Sequence, residues 1–492
     1  MLLASLLLSL LYCPPVDLWY DDKVIFRYAG LLIAKGGVPY LDLFDHKPPL
    51  IYFLNYAGLC LGSWGLWIID TLLVAGVTLL FYKRCREKDL SYPWLLPLFF
   101  NLLLRNYLVC QGIGMTREYT AIFLLFAFCV LVGRSRYAFY WLGLLTAAIF
   151  LMQQDQLLPL LPFLAYAFIV KDPAPRPLPG RILQAAGGFL TIAAPILLYF
   201  GVHHALTVFW HDAFQFNFTW YADKHPFSEE FSAVHSALKA TDTGLPLLVS
   251  STLAVTALLL HTKEKKLLAT ALLATALAFG PQLFSARLAL KGPDFYYYFL
   301  SLCAVLPILI FAIWTSAVDP FLRSRISQAF FGFLLCMPLL YNAVQHGTHL
   351  SWHNDKLVTA TPEYRFLSSQ PLSDNQLYVM ANNNWIYAYD QFRILAPSRW
   401  VYHHFWSWYP RWDTDHRILL SIGHDLLAHR TRYILDFSEP ATFADPGAYT
   451  TWRTFLQQHY QPVPVPGSRS LILWELKPDA INIPLSADPP AW

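Results

Sequence analysis

Apolar segments of nearly uniform length recur along this chain and limit what it can fold into. A helix needs about 20 apolar residues to cross the hydrocarbon core of a bilayer. Charged residues make up only 14% of the 492 positions, whereas soluble domains carry about a quarter. The sequence therefore predicts a mainly α-helical, polytopic membrane protein. Its spans, about eleven in number, are predicted at residues 1–13, 64–82, 92–109, 118–133, 137–153, 157–170, 183–201, 244–261, 267–284, 295–317 and 326–343.

Basic residues in the short polar breaks between these segments predict the orientation. Cytoplasmic loops of membrane proteins carry an excess of Lys and Arg. If every second break is cytoplasmic, all the basic clusters fall on that side, namely Lys83–Lys88, Arg134–Arg136, Lys171–Arg181, Lys263–Lys266 and Arg323–Arg325. We therefore expect a multi-pass protein of the cell (inner) membrane, with a cytoplasmic N-terminus and an external first loop at residues 14–63.

The chain changes character at about residue 344, where hydrophobic runs shorten and polar residues become frequent. Strands are predicted at residues 376–381, 432–437 and 470–476, and helices at 413–429 and 449–459. Alternation of strands and helices indicates a small α/β domain. The sequence thus predicts a transmembrane bundle over residues 1–343 and an extracytoplasmic α/β domain over residues 344–492. The aromatic stretch 400–409 could stack on sugar rings, but we expect it to pack this domain onto the bundle, because buried aromatic residues are ordinarily structural.

The external loop holds more charge than a simple connection between two spans would need. Four carboxylates and four cations lie between Tyr20 and Tyr52. Two segments, residues 22–35 and 48–62, have helical periodicity with interrupted hydrophobicity, which is typical of helices lying along a membrane interface. Charge beside lipid is costly to hold, so this loop is the first candidate for a functional site.

The same loop carries a spaced pattern of residues. A pair of acids is followed by an alanine, a glycine, a Pro-Tyr-x-Asp sequence and a Lys-Pro-Pro-Leu sequence, at Asp21, Asp22, Ala29, Gly36, Pro39, Tyr40, Asp42, Lys47, Pro48, Pro49 and Leu50. This pattern resembles the first external loop of GT-C glycosyltransferases. The most similar groups are bacterial relatives of the protein O-mannosyltransferases, including the aminoarabinose transferases and the lipopolysaccharide galacturonosyltransferases. The chain departs from the family at Ile25, where an aromatic residue is usual.

The resemblance extends to the starts of two later spans. The family places an acidic residue where Glu118 opens the fourth span, and basic residues where Arg287 and Lys291 precede the tenth. Two simpler interpretations stay open. Glu118 and the adjacent Arg117 could form an ion pair at the helix start, where the helix dipole favours an acid. The basic side chains could instead extend to the membrane interface.

The resemblance implies an integral membrane glycosyltransferase that uses a polyprenyl-phosphate sugar on the outer face, where no nucleotide sugar is expected. Such a reaction needs a carboxylate to take the proton of the acceptor hydroxyl and cations to stabilise the departing phosphate. We expect Asp21 to be the base, with Asp22 as its competitor, and Glu118 to orient the acceptor or hold a divalent ion. One-step displacement predicts inversion at the anomeric carbon.

Lys47 is the first candidate for binding the donor phosphate, because the two prolines that follow it stiffen its backbone. The further candidates for substrate binding are Arg287, Arg117, Arg27, Lys291, Tyr40 and Asp42. The acceptor stays open among lipids, glycans and proteins. Membrane lipids are expected partners and nucleic acids are not. The sequence predicts no definite cofactor, and it leaves a divalent metal open because no residues show the spacing of a metal site.

A membrane transporter or lipid flippase without covalent chemistry is the main alternative. Transporters typically show internal repeats and broken helices, with polar residues near the midplane. This chain shows no clear repeat, and its ionisable residues gather at outer helix ends, with Asp70 as the main exception. A ligase that uses a polymer on undecaprenyl diphosphate would share the GT-C architecture but not the paired acids.

Overall fold

The computed structural model describes most of the chain. The described residues are 2–14, 22–106, 113–170, 177–217, 219, 265–289, 300–316, 323–349, 358–380, 383–401, 415–437, 446–468 and 471–479. Some predicted features lie outside them, namely Asp21, Lys291, the span at 244–261 and residues 402–409 of the aromatic stretch.

Helices occupy every predicted span that the structure describes, and both amphipathic segments of the external loop. The helices of this part of the chain are α1 (Leu2–Leu10), α2 (Asp22–Ala34), α3 (Leu50–Cys60), α4 (Gly65–Glu87), α5 (Leu95–Leu104), α6 (Thr116–Val132), α7 (Ala138–Met152), α8 (Leu161–Ala165), α9 (Leu178–Val202), α10 (Leu206–Trp210), α11 (Lys265–Ala289), α12 (Leu302–Ser316) and α13 (Arg325–His349), of which α10 lies outside every predicted span and both amphipathic segments.

Not all of these helices are long enough to cross a bilayer. Among the described residues, three helices have the required length and hydropathy, at Gly65–Glu87, Leu178–Val202 and Arg325–Val344. Shorter apolar helices are Leu50–Cys60, Leu95–Leu104, Ala138–Met152 and Leu302–Ser316. The number of membrane crossings therefore stays a prediction.

The sixth predicted span departs from a regular helix. A 3-10 helix at Gln154–Leu157 precedes α8, which has five residues, and a π-helix at Tyr166–Val170 follows it. Pro159 and Pro162 have no backbone N–H to donate, so an unbroken α-helical ladder cannot run through this segment.

Helix α2 is enclosed by protein. Ten of its 13 residues are buried, and helix α3 packs against it at close range. A Cβ added at Gly30 would lie 2.8 Å from the backbone nitrogen of Tyr56, so a side chain at this position would push the two helices apart. On another face, the Tyr28 ring lies 5.3 Å from that of Tyr389. The predicted helix forms, but protein rather than an open membrane surface surrounds it.

A four-stranded sheet lies in the C-terminal α/β region, residues 358–479. Its strands are β1 (Leu377–Met380), β2 (Tyr433–Phe437), β3 (Tyr460–Val463) and β4 (Leu471–Leu476), in the order β1-β2-β4-β3. Strands β1 and β2 are parallel, whereas the other two pairs are antiparallel. The accompanying helices are α14 (Pro362–Ser368), α15 (Tyr387–Phe392), α16 (Arg417–Ala428) and α17 (Pro446–His459).

Three strands and two helices of this region coincide with predicted elements, and strand β3 was not predicted. Pro462 lies within β3, and proline argues against a strand because it cannot donate to the ladder. The sheet order places β3 at an edge, where only one side of the strand is paired and proline is tolerated. The division of the chain at residue 344 stays a prediction.

Candidate functional site

The connection between α2 and α3 contains a tight loop, residues 38–49, that we call the lysine loop. Tyr40 adopts a left-handed backbone conformation with φ of 70°, which is uncommon for a residue with a side chain. Its backbone N–H donates to the carbonyl of Leu43 at 2.9 Å, and the Asp42 carboxylate accepts from the backbone N–H of Val38 at 2.7 Å. The Pro-Tyr-x-Asp sequence is therefore a turn closed by its own polar groups.

Two tyrosines hold the far end of this loop. The Tyr40 hydroxyl donates to the backbone carbonyl of Lys47 at 2.6 Å, and the Tyr52 hydroxyl lies 3.1 Å from the same carbonyl oxygen. Both side chains are fully buried. Tyr40 and Asp42 were predicted to bind substrate, and in the structure their polar groups bond to backbone atoms of the loop itself. They fix the conformation that presents Lys47.

Lys47 is the centre of a buried cluster of charges. Its Nζ lies 3.7 Å from Oδ2 of Asp22, at the start of α2, where the helix dipole favours an acid. Lys47 and Asp22 are only 9% and 7% exposed. Asp45 accepts from the Tyr52 hydroxyl at 2.8 Å. Two of the predicted site residues, Asp22 and Lys47, are therefore brought together although they are far apart in sequence.

Burial raises the pKa of Asp45 to about 6, an effect that the nearby Lys47 ammonium and the Tyr52 hydroxyl partly offset. The folded protein therefore binds this proton more tightly than the unfolded chain, in which the pKa is 3.8. The contribution of Asp45 to stability is fully present below the unfolded pKa and is lost as the pH rises to about 6.

We expect an Asp45→Asn variant to expose this pH dependence, because asparagine resembles the neutral acid and still accepts from Tyr52. Relative to the variant, the wild-type protein should lose up to about 3 kcal/mol of stability between about pH 4 and pH 7. Melting temperatures in detergent at several pH values would measure the difference. Parallel melting profiles for the two proteins would contradict the assignment.

A second buried cluster joins three helices of the bundle. Arg105 forms ion pairs with Asp70 through Nη2 and with Glu118 through Nη1, and all three side chains are fully buried. The other carboxylate oxygen of Glu118 accepts from the backbone N–H of Gly114 at 2.9 Å. Gly114 has φ of +111°, which glycine adopts without strain. Glu118 thus ties the start of α6 to Arg105, at the end of α5, and to Asp70 on α4.

Glu118 was predicted either to pair with the adjacent Arg117 or to belong to the site. In the structure Glu118 pairs with Arg105, and Arg117 lies 3.1 Å from Asp155. A part for Glu118 in the site stays a prediction. Sequence reasoning missed Arg105. The sequence did mark it, because Arg105 is a single cation that follows three apolar residues near the outer end of a predicted span. Basic residues are in excess on the cytoplasmic side, so a cation at the outer end is unusual.

The two clusters adjoin at the start of α2. A Cβ added at Gly114 would lie 3.9 Å from carbons of the Lys23 side chain. Lys23 follows Asp22, and Gly114 donates to Glu118. The turn that carries Asp22 therefore packs against the loop that Glu118 closes.

Two of the remaining predicted cations have acidic partners in the described part of the chain. Arg27 donates through Nε to Asp390 of the C-terminal α/β region at 2.6 Å, and Arg117 faces Asp155. Arg287 lies on α11, but its side chain is outside the described residues, as are Asp21 and Lys291. Within the residues that the structure describes, no group of three or more His, Cys, Asp or Glu side chains could hold a metal ion.

Comparison with known proteins shows which solved structures have a similar fold. No protein-family model and no curated protein matches the chain. Two solved structures of ArnT from Cupriavidus metallidurans are similar to it, one bound to undecaprenyl phosphate and one in the apo state. The first has a TM-score of 0.59 at 12% identity, and the second 0.58 at 13%. The fold is that of ArnT.

ArnT is an aminoarabinose transferase and a GT-C enzyme, a member of one of the groups that the external loop resembles. The similarity covers 98% of this chain and 98% of ArnT in both comparisons. It therefore includes the helices and the C-terminal α/β region together. At 12–13% identity the likeness to ArnT establishes the fold, while the assignment of individual residues depends on the contacts described above.

Proposed function

We propose that this protein is an integral membrane glycosyltransferase. It moves a sugar from a polyprenyl-phosphate donor to an acceptor hydroxyl on the extracytoplasmic face of the cell membrane. The observation that carries the proposal is the buried Lys47 beside Asp22, in a chain whose fold is that of a protein crystallised with undecaprenyl phosphate. A buried cation on a stiff loop suits a lipid-linked phosphate that enters between helices.

Lys47 acts on the leaving group. Its 3.7 Å separation from Asp22 is longer than a charge-assisted hydrogen bond, which is about 2.7–2.9 Å. The Asp22 carboxylate therefore attracts the Lys47 ammonium and holds it in place without a short hydrogen bond to it. As the bond between the anomeric carbon and the phosphate oxygen breaks, negative charge grows on the phosphate, and a preorganised cation stabilises it. Arg287 and Lys291 are proposed as further phosphate ligands.

Asp21 is proposed as the general base. It takes the proton of the acceptor hydroxyl as that oxygen attacks the anomeric carbon, and polyprenyl phosphate departs from the opposite face. One such displacement inverts the anomeric configuration. The pairing of Asp22 with Lys47 supports Asp21 over Asp22, because it gives the Asp22 carboxylate another role, that of holding the proposed phosphate ligand.

Glu118 is proposed to support the site by positioning. Both of its carboxylate oxygens have protein partners, Arg105 and the N–H of Gly114, and Gly114 packs on the first turn of α2. This arrangement supports a structural link between the bundle and the acidic pair. The N-terminus is proposed to be cytoplasmic and the C-terminal α/β region extracytoplasmic.

Binding and transfer together test the proposal. We expect the purified protein to bind undecaprenyl phosphate and to transfer radiolabel from a polyprenyl-phosphate sugar in membranes. Replacing Lys47 by glutamine should weaken undecaprenyl phosphate binding about 10–100-fold, since a hydrogen bond to a charged group contributes about 1.5–3 kcal/mol. Microscale thermophoresis with the purified variant would measure the change.

Lys35→Gln is the matched control, because Lys35 pairs with Asp374 where both side chains are partly exposed, whereas Lys47 and Asp22 are buried. It should bind undecaprenyl phosphate as the wild type does. A wild-type protein that neither binds the lipid phosphate nor transfers sugar would refute the proposed function. Binding without transfer from any donor would favour a lipid flippase.

A further inference from the structure

Two other parts of the chain contact the lysine loop and hold it in position. One is the segment 212–217, which follows helix α10. The other is the pair Arg399–Trp400 in the C-terminal α/β region. Both reach the backbone between Phe44 and Lys47, the part of the loop that presents the proposed phosphate ligand.

The C-terminal α/β region contacts the loop through backbone and rings. The backbone N–H of Phe44 donates to the carbonyl of Arg399 at 2.8 Å. The Phe44 ring lies 5.1 Å from the Trp400 ring, and the Arg399 guanidinium lies 5.7 Å from the Phe44 ring centre. A backbone hydrogen bond of this kind fixes the position of the loop, because it depends on main-chain geometry rather than on a flexible side chain.

The segment 212–217 contacts the next residues of the loop. The Asn217 side-chain amide donates to the carbonyl of His46 at 2.7 Å, and also to the carbonyl of Ala213 at 2.8 Å. The Phe216 ring lies 5.3 Å from the Phe44 ring. The residue before Lys47 is therefore bonded to a segment that begins at Asp212.

An ion pair joins the two segments that support the lysine loop to each other. The Arg399 guanidinium binds the Asp212 carboxylate, which is only 2% exposed. Burial raises the pKa of Asp212 and lowers that of Arg399, while their mutual attraction opposes both shifts. Oδ1 of Asp212 also lies 2.8 Å from Nδ1 of His211, while Oδ2 faces Arg399. Removing Arg399 would take a guanidinium away from a buried carboxylate, which is costly, so this pair links the two supports of the lysine loop.

We propose that Arg399 is a positioning residue for donor binding, through which the C-terminal α/β region holds Lys47 in place for the lipid phosphate. This inference rests on the proposed function. It assigns the C-terminal α/β region a part in donor recognition. Other ion pairs of the same region join Asp390 to Arg27 of α2 and Asp374 to Lys35, which follows α2. Neither pair includes a residue of the segment 44–47.

The test separates donor binding from turnover. We expect Arg399→Gln to raise the KM for the polyprenyl-phosphate donor about tenfold and to lower kcat by a smaller factor, because a displaced Lys47 binds the donor phosphate less well and also stabilises the departing phosphate less well. Arg399→Lys keeps the charge and should recover part of the loss. Asp212→Asn should raise KM similarly, and the double variant should add little to either single one, since both remove the same interaction.

Asp374→Asn is the matched control, because it breaks another ion pair of the C-terminal α/β region, the one with Lys35 just after α2. It should leave the donor KM unchanged. Each variant is checked by melting temperature and gel filtration in detergent, and if Arg399→Gln does not fold, Asp212→Asn and Arg399→Lys supply the comparison.

Two outcomes would overturn the inference while sparing the proposed function. One is a wild-type protein that binds undecaprenyl phosphate, with Arg399→Gln and Asp212→Asn binding it equally well. The other is an equal rise in KM for Asp374→Asn, which would indicate general loosening of the C-terminal α/β region. A wild-type protein without donor binding would refute the proposed function itself.

Discussion

An Asp21→Asn variant is expected to lose sugar transfer by about 10²–10⁴-fold, the usual contribution of a general base. Asparagine has nearly the same shape as aspartate but cannot accept the proton of the acceptor hydroxyl. Binding of undecaprenyl phosphate should persist, because the proposed phosphate ligand is Lys47. Radiolabel transfer in membranes, with undecaprenyl phosphate binding measured in parallel, would separate the two effects.

Asp22→Asn is the matched comparison, since it removes a carboxylate from the adjacent residue. Asp22 is buried and lies 3.7 Å from the Lys47 ammonium, so its loss should change donor affinity more than kcat. If Asp21→Asn retains full transfer while Asp22→Asn abolishes it, the base is Asp22. If both variants transfer sugar normally, neither acid is the base.

Replacing Arg105 by leucine is expected to destabilise the bundle by about 3–5 kcal/mol, the usual cost of breaking a buried ion pair from one side. Arg105 is fully buried between Asp70 and Glu118. Without it, two carboxylates would remain in the interior with no counter-ion. Melting temperature in detergent and resistance to protease would measure the loss.

A variant in which all three residues of the Arg105 cluster are uncharged tests whether uncompensated charge causes this loss of stability. The triple variant Asp70→Asn/Arg105→Met/Glu118→Gln removes all three charges and keeps an acceptor for Gly114. It should recover most of the stability, because replacing a complete buried charge cluster is often nearly neutral. If the triple variant is as unstable as Arg105→Leu, the loss arises from packing rather than from uncompensated charge. Recovered stability with impaired transfer would support the positioning role of Glu118.

The sequence alone determined the positions of the helices. Hydrophobicity and length are properties of a continuous segment, so the apolar runs coincide with helices wherever the structure describes them. The turn around Tyr40 and Asp42 is equally local, since its bonds join residues three or four positions apart. The strands at residues 376–381 and 432–437 could be predicted because their pattern is also a property of a continuous segment. Strand β3 was missed because it contains Pro462, and proline argues against a strand unless the strand lies at the edge of a sheet.

Tertiary structure decided which charges meet. Arg105 binds Asp70 and Glu118, which lie 35 and 13 positions away, and Arg399 binds Asp212 across 187 positions. Ion pairs of this kind depend on how helices pack and on how the C-terminal α/β region lies over α2. The sequence supplied the charged residues and, through the resemblance, the expectation for Lys47. Tertiary packing determined which of these residues pair with each other. Burying an uncompensated charge is costly, so buried charged residues are placed next to opposite charges.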